Sequence, residues 1–442
     1  MNKKVALHTL GCKLNFSETS TIGKQFLDRG FEVVDFKNRA DVYLINTCTV
    51  TENADRECRQ IVRRALRLNP EAHIIVSGCY AQLSPEEIAK IDGVDTVLGN
   101  NEKFKLFSII NDFNKRELSC TFVSPTNQLN DFGAAYSTDA DSRTRAYLKI
   151  QDGCDYICTF CTIPLARGKS RSLQPEEILN EFNTLVNNGY KEIILTGVNV
   201  GDYGKHIGKD LYSLLLKMVE IPGKFRIRIS SIEPNLLTDD IIDLTADNEK
   251  MCRHFHIPLQ SGSSDVLKLM QRRYTTNYYS SLIEKLKNKI PDVGIGVDVI
   301  VGTPGETDIY FKETKKFLSE LPISYLHVFT YSERPNTKAV QLSGSVDKAE
   351  RKRRNKILRI LSDKKKHSFN NKMIGKELEV LFESGYSVDT IKGFTSNYVR
   401  VENSYKPELE NNFNNVKILE ANSYICKGKI IGINNPVDLL AG

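Results

Sequence analysis

Apolar residues along this chain arrive in short bursts separated by stretches where they recur every three or four positions. In the first third the bursts are Val5–Leu10, Val42–Ile45, Ile74–Val76 and Thr96–Leu98, and they predict short buried strands. Ser17–Arg29, Asn53–Leu68 and Pro85–Ile91 have helical spacing between them. Ser84-Pro85-Glu86-Glu87 reads as a helix start, with a capping Ser, Pro in the first turn and two early acids. A Ser-, Thr-, Asn- and Asp-rich stretch at 121–143 predicts a linker.

The alternation resumes from residue 145. Tyr147–Gln151, Glu192–Thr196, Arg226–Ser230, His254–Pro258, Gly296–Val301 and Tyr325–Phe329 predict six strands. Amphipathic stretches lie between them, among them Pro175–Asn188, Leu211–Val219, Asp265–Met270 and Tyr278–Lys289. A basic helix follows at 348–370. After it come β-branched runs at Glu377–Glu383, Thr390–Glu402, Asn415–Glu420 and Tyr424–Ile431, separated by Gly, Asn and Ser. The pattern therefore predicts an α/β multidomain chain with three folded parts. These are a flavodoxin-like parallel α/β domain over 1–120, a partial (β/α)6 TIM-type barrel over 144–345, and a small antiparallel β-barrel over 372–442. The stretches 121–143 and 346–371 connect them.

A length of 442 residues suits about three domains. No segment reaches the ~18–20 uninterrupted apolar residues of a membrane span, and the first residues lack the apolar run of a secretory signal. The expectation is a cytoplasmic protein without a membrane partner, whose ten cysteines are ligands or catalytic groups before they are disulfides. The net charge of +6 is concentrated between Lys348 and His367, where ten Lys or Arg stand against Glu350 and Asp363. Such a run is a solvated helix face or a contact for a polyanion, of which nucleic acid is the commonest. Arg351, Arg353 and Arg354 are its candidate contacts.

The cysteines narrow the chemistry. Cys154, Cys158 and Cys161 form a CxxxCxxC set on the loop after the first barrel strand, where barrel active sites assemble. Zinc normally takes four protein ligands, and no fourth Cys or His lies close in sequence. Three thiolates around a 4Fe-4S cluster leave one iron open, able to chelate the amino and carboxylate groups of S-adenosylmethionine (SAM) and cleave it reductively to a 5′-deoxyadenosyl radical. Polar or small residues end the next strands: Gly197 and Asn199 the second, Glu233 the third, Gln260 the fourth and the loop from Val301 the fifth. Phe160, before the last cysteine, is placed to shelter adenine. These are the candidate SAM contacts, each of which is also ordinary loop chemistry. Cys12, Cys48 and Cys79 follow the first, second and third strands of the first domain. Parallel sheets gather ligands at those ends, so the three form a second candidate cluster site. Cys58, Cys120, Cys252 and Cys426 lack such placement and are expected to be structural.

With both sets in view, the chain resembles the methylthiotransferase family of radical SAM enzymes. The resemblance is carried by Thr9-Leu10-Gly11-Cys12-Lys13-Leu14-Asn15, Asn46-Thr47-Cys48-Thr49-Val50, Ser77-Gly78-Cys79, the CxxxCxxC loop, His256–Gly262, Val301–Glu306 and Phe329–Pro335. The C-terminal barrel, with Gly393–Arg400, resembles the RNA-binding TRAM domain, making Lys392, Tyr398 and Arg400 candidate RNA contacts. The resemblance implies two 4Fe-4S clusters, and SAM as both methyl donor and radical source. Residues 11–15 and 49–56 look most like the branch acting on tRNA threonylcarbamoyladenosine. That implies methylthiolation at carbon 2 of the adenosine at position 37, with the tRNA anticodon stem-loop and unidentified electron and sulfur donors as partners. Isopentenyladenosine in tRNA, a ribosomal protein, another sulfur insertion and a zinc-stabilised RNA-binding protein are the competing readings. Asn336 stands where the family often has Gly, and Asn199 where many radical SAM enzymes have Glu.

Overall fold

The computed structural model describes residues 2–49, 52–129, 131–136, 144–383 and 389–433, the side chains of 52–55 and 432–433 excepted. Its first unit is a six-stranded parallel sheet of β1 (Lys4–Thr9), β2 (Glu32–Val34), β3 (Val42–Thr47), β4 (His73–Gly78), β5 (Thr96–Leu98) and β6 (Cys120–Phe122), in spatial order β2-β1-β3-β4-β5-β6. The central strands β3 and β4 are buried at every position, because helices cover both faces of such a sheet. Two apolar clusters result, one on each face: Tyr43, Ile45, Ile74 and Val76 point into one, and Val42, Leu44 and Ile75 into the other.

Two strands escaped the hydrophobic pattern. β2 is short and half-exposed, and β6 pairs only at the sheet edge, Thr96 opposite Cys120. The stretch expected to be a linker thus begins as a strand and continues as packed chain, with Leu129, Phe132 and Ala135 buried. Residues 137–143 of it lie outside the described residues.

The second unit contains β7 (Arg145–Lys149), a two-residue pair β8 (Gln151–Asp152) and β9 (Arg171–Ser172), then β10 (Glu192–Thr196), β11 (Arg226–Ile229), β12 (His254–His256), β13 (Gly294–Val301) and β14 (Tyr325–Thr330). The six longer strands form two parallel sheets, β11-β10-β7 and β12-β13-β14, joined by bridges at Ile227–Met251 and Ser231–His256. Ala146, Leu148, Ile193, Leu195, Ile227, Val297 and Val299 face the surrounding helices. By strand alternation, Tyr147, Ile194, Arg228, His256, Asp298 and His327 face the lumen. The partial barrel is open between β7 and β14. Helix Lys13–Leu27 of the first unit lies along β7 there, with Phe16 edge-on to Tyr147 at 5.5 Å.

The basic segment is one helix, Lys348–Asn371, packed on β14 through Leu358 and Ser362, the latter bonding Leu326. The last unit is a closed barrel of β15 (Glu377–Glu383), β16 (Thr390–Thr395), β17 (Arg400–Ser404), β18 (Phe413–Ala421) and β19 (Cys426–Ile433). The single run expected at 390–402 is a hairpin, reversed at Tyr398, whose φ is +70°. Residues 394–398 plug the amino end of the central lumen. Arg226 and Arg228 donate to the Phe394 and Ser396 carbonyls at 2.9 and 3.0 Å, and buried Glu192 accepts from both arginines. No helix among the described residues is long and apolar enough to cross a membrane.

Candidate functional site

Three Gly-Cys pairs build the site. Gly11, Gly78 and Gly153 each precede a candidate ligand and each has a positive φ, +97°, +95° and +68°. Only glycine adopts this backbone freely. A Cβ on Gly11 would lie 2.9 Å from the Cys48 sulfur, and one on Gly153 would lie 2.0 Å from the Lys169 carbonyl oxygen. The absent side chain is what lets the strand end of Cys12 approach Cys48.

Cys12, Cys48 and Cys79 meet at the carboxyl edge of the first sheet. Cys12 is exposed while the other two are buried, and Cys79 is among the charged groups acting on Cys12. Asn15 ties the strand ends together. Its amide donates to the Leu10 and Thr47 carbonyls at 2.8 and 2.9 Å, while its Oδ1 accepts from Arg167 at 2.6 Å.

Arg167 ends the short helix that follows Cys161, so one side chain joins the two cysteine sets. It is buried and shares Glu18 with Lys103 and Lys149, and Asp152 with Lys149 and Arg171. Burial would raise the Glu18 carboxyl, but Arg167, Lys103 and Lys149 outweigh it and hold it well below 4.5. Arg167 also acts on Cys79 and Cys12. Two buried carboxylates thus face three buried cations, leaving positive charge beside thiols that bind metal only as thiolates.

Cys154, Cys158 and Cys161 lie half-buried at the carboxyl end of the central lumen. Burial, with repulsion among the three sulfurs, pushes Cys154 and Cys161 up to about 12. A bound cation compensates such a set. Arg272 approaches the Cys158 sulfur at 3.1 Å and also binds Glu233. A cavity of about 200 Å³ opens beside the loop, lined by Phe160, Cys161, Gln260, Asp298, Ile300 and Phe329 among others. The buried Thr196 hydroxyl, at the end of β10, has no partner. An orphaned donor, an apolar wall and three thiols fit SAM on an iron–sulfur cluster.

Several expected contacts sit elsewhere. Val301 is fully buried on the helix-facing side of β13, and alternation gives the cavity to Ile300 instead. The Asn199 side chain is committed to Asp202 at 2.9 Å and to the Glu233 amide. Gly197 lies against Gln151, which also binds the Asn199 amide at 2.9 Å. Arg351 and Arg354 are buried. Arg351 binds the Val346 and Tyr331 carbonyls and Glu333 beneath Gly302. Arg354 binds Glu306, Asp308 and Glu350. Neither is free to meet RNA. Arg353 is exposed but paired with Glu350 at 2.7 Å. Tyr398 stacks on Phe394 at 4.9 Å and lies 4.6 Å from His254, inside the interdomain contact. Lys392 pairs with Glu402 at 3.1 Å, and Arg400 lies over Phe394. Asn336 keeps a φ of +64°, which Asn tolerates better than other side chains. Val50 and Thr51 lie outside the described residues.

The sequence reading did not single out Arg167, Glu18, Lys103, Arg272, Asp298 or His327, and it named His256 only as part of the family motif, not as a member of a lumen group with Asp298 and His327. The ligating atoms of that lumen group lie within 4.8 Å of one another. Only Asp152 and Asn15 had a signal, as neighbours of cysteines.

An incomplete parallel barrel with three thiols on the loop after its first strand defines a radical SAM enzyme, and the Radical SAM superfamily matches residues 148–318. Residues 4–99 match the uncharacterized protein family UPF0004. The protein named threonylcarbamoyladenosine tRNA methylthiotransferase MtaB in Bacillus subtilis is 40% identical over 97% of this chain and 96% of its own length. Its namesake in Aquifex aeolicus is 40% identical over 90% and 96%. The tRNA-2-methylthio-N(6)-dimethylallyladenosine synthase of Fusobacterium nucleatum is 34% identical over 97% and 100%. The chain belongs to the radical SAM tRNA methylthiotransferase family, whose members work with SAM and a 4Fe-4S cluster. The radical SAM methyltransferase TsrM of Kitasatospora setae shares the fold at 16% identity, with a TM-score of 0.54 over 77% of each chain.

Proposed function

We propose that this protein methylthiolates carbon 2 of threonylcarbamoyladenosine at position 37, beside the anticodon of tRNA. The observation that carries the reading is the pair of three-thiol sets on facing rims, coupled through Arg167 and Asn15. In it Cys12, Cys48 and Cys79 hold an auxiliary 4Fe-4S cluster, and Cys154, Cys158 and Cys161 hold the SAM-cleaving one. When bound, the clusters and SAM supply the sulfur, the methyl group and the one-electron chemistry that opens the C–H bond. The chain's own residues position and exclude. Phe160, Ile300 and Phe329 offer an apolar wall for a base, which leaves the anticodon stack to enter. Glu233 and Arg272 orient the Cys158 rim, and the Arg167 network balances thiolate charge. The exposed Lys352, Lys356 and Arg359 on the basic helix supply phosphate contacts. The working compartment is the cytoplasm, and external donors provide electrons and sulfur.

The relatives named for threonylcarbamoyladenosine support this substrate. Nucleoside mass spectrometry of tRNA treated with the anaerobically reconstituted protein, SAM and reductant tests it. The expected product is the methylthio form of threonylcarbamoyladenosine, with Cys158→Ala and Cys48→Ala both inactive. Reaction of isopentenyladenosine tRNA alone would refute the substrate assignment.

A further inference from the structure

Lys13 differs from the cations around it. Lys103 and Lys149 are held by Glu18, Arg167 by Glu18 and Asp152, Arg228 by Glu192, Arg145 by Glu383 and Arg272 by Glu233. Lys13 has no hydrogen bond or ion pair among the described residues, and its side chain is solvent-accessible. It does not face outward. The charged and polar groups acting on it are those of the central lumen: Tyr398, Arg228, Arg145 and Glu192. Lys13 in turn acts on His254 and His327, both lumen residues. Phe16, one turn further along the same helix face, has its ring against lumen-facing Tyr147. The ammonium therefore reaches through the open side of the half-barrel into the lumen.

What it meets there is defined. His256 Nε2 lies 2.8 Å from Asp298 Oδ1, so that carboxylate has its own partner. His327 lies edge-on to His256 with ring centroids 5.5 Å apart, and is exposed to the lumen. Burial holds His327 below its ordinary value, so at neutral pH it presents one N–H and no charge. Asp298 also lines the cavity beside Cys161. The lumen thus runs from an apolar mouth at the thiol loop to a floor where the Lys13 ammonium has no carboxylate partner, with Lys366 a second cation near His327 on the Tyr325 side. An ammonium that faces this lumen without a carboxylate partner is open to an entering anion. Phosphates of an entering nucleotide stay on the strand outside, whereas a side chain carried by the base goes in with it.

Resting on the function proposed above, we infer that Lys13 is the specificity residue that binds the carboxylate at the end of the substrate base's side chain, with His327 donating to it from the opposite wall. The site takes an adenine bearing a terminal carboxylate and disfavours one bearing a neutral chain.

The test uses full-length reconstituted protein and three anticodon stem-loops: one with threonylcarbamoyladenosine, one with its methyl ester and one with plain adenosine. Wild type is expected to bind the acid about 10- to 100-fold more tightly than the ester, the range of one charge-assisted hydrogen bond. Lys13→Gln, with wild-type iron content, should bind acid and ester alike, whereas Lys13→Arg should keep the preference. The proposal falls if Lys13→Gln retains the acid-over-ester ratio. It also falls if that variant weakens all three RNAs equally, which would make Lys13 a phosphate contact. Methylthiolation assayed on the same RNAs separates the two readings. A wild type that modifies threonylcarbamoyladenosine without preferring acid to ester defeats the role of Lys13 alone. One that modifies only isopentenyladenosine defeats the function beneath it.

Discussion

At the scale of single residues, Glu18 illustrates how a buried charge is tolerated. Three cations surround it without solvent, and removing its charge strands them. Glu18→Gln is expected to destabilise the protein by about 3–5 kcal/mol, the usual cost of breaking a buried pair, read as a lowered urea midpoint. Its pH dependence has a definite sign. The folded carboxyl sits well below its ordinary 4.5, so below that pH the unfolded chain takes up a proton the folded chain refuses. Stability from this group is therefore full above about pH 4.5 and is lost with further acid. The acid slope of Glu18→Gln should be shallower, and an equal slope would show that Glu18 does not titrate with unfolding. Arg272 acts on the other rim. Arg272→Leu leaves Glu233 half-buried and unpaired, and the expected outcome is slower SAM cleavage together with a lower melting temperature.

Among the elements, the basic helix Lys348–Asn371 divides its charges between two tasks. Arg351 and Arg354 face inward and fasten the Val301–Glu306 loop, whereas Lys352, Lys356 and Arg359 face water. Replacing those three by alanine should weaken tRNA binding and reduce the slope of log affinity against log salt by roughly 2–3. Arg351→Ala should instead lower the melting temperature and leave that slope unchanged. The sequence shows a cluster of charge, but the face each residue occupies depends on where the helix packs. The same reason separates Ile300 from Val301. A strand is legible from its apolar run, but which alternate side faces the lumen depends on the partner strands, here Val297–Leu326 and Asp298–His327. β2 and β6 left no hydrophobic signal because edge strands bury too little to need one.

Across the whole molecule, the C-terminal barrel is docked at the amino end of the central lumen, opposite the thiols. Glu192 is held well below the ordinary glutamate range, burial being outweighed by Arg226, Arg228 and Arg145, and those arginines grip residues 394–396 and Glu383. Glu192→Leu should loosen this docking, seen as faster proteolysis near residues 371–377 with iron content unchanged. Unchanged protease resistance would show that the barrel docks without this network. The sequence by itself determined the three-part division, the six cysteines and the strand ends that carry them, because buried strands need apolar runs and a Gly-Cys turn needs glycine. It could not determine the Glu18–Arg167 coupling, the inward turn of Arg351 and Tyr398, or the placement of Lys13 in the lumen. Each joins residues far apart in the chain, and only the packing of one unit against another brings them within reach.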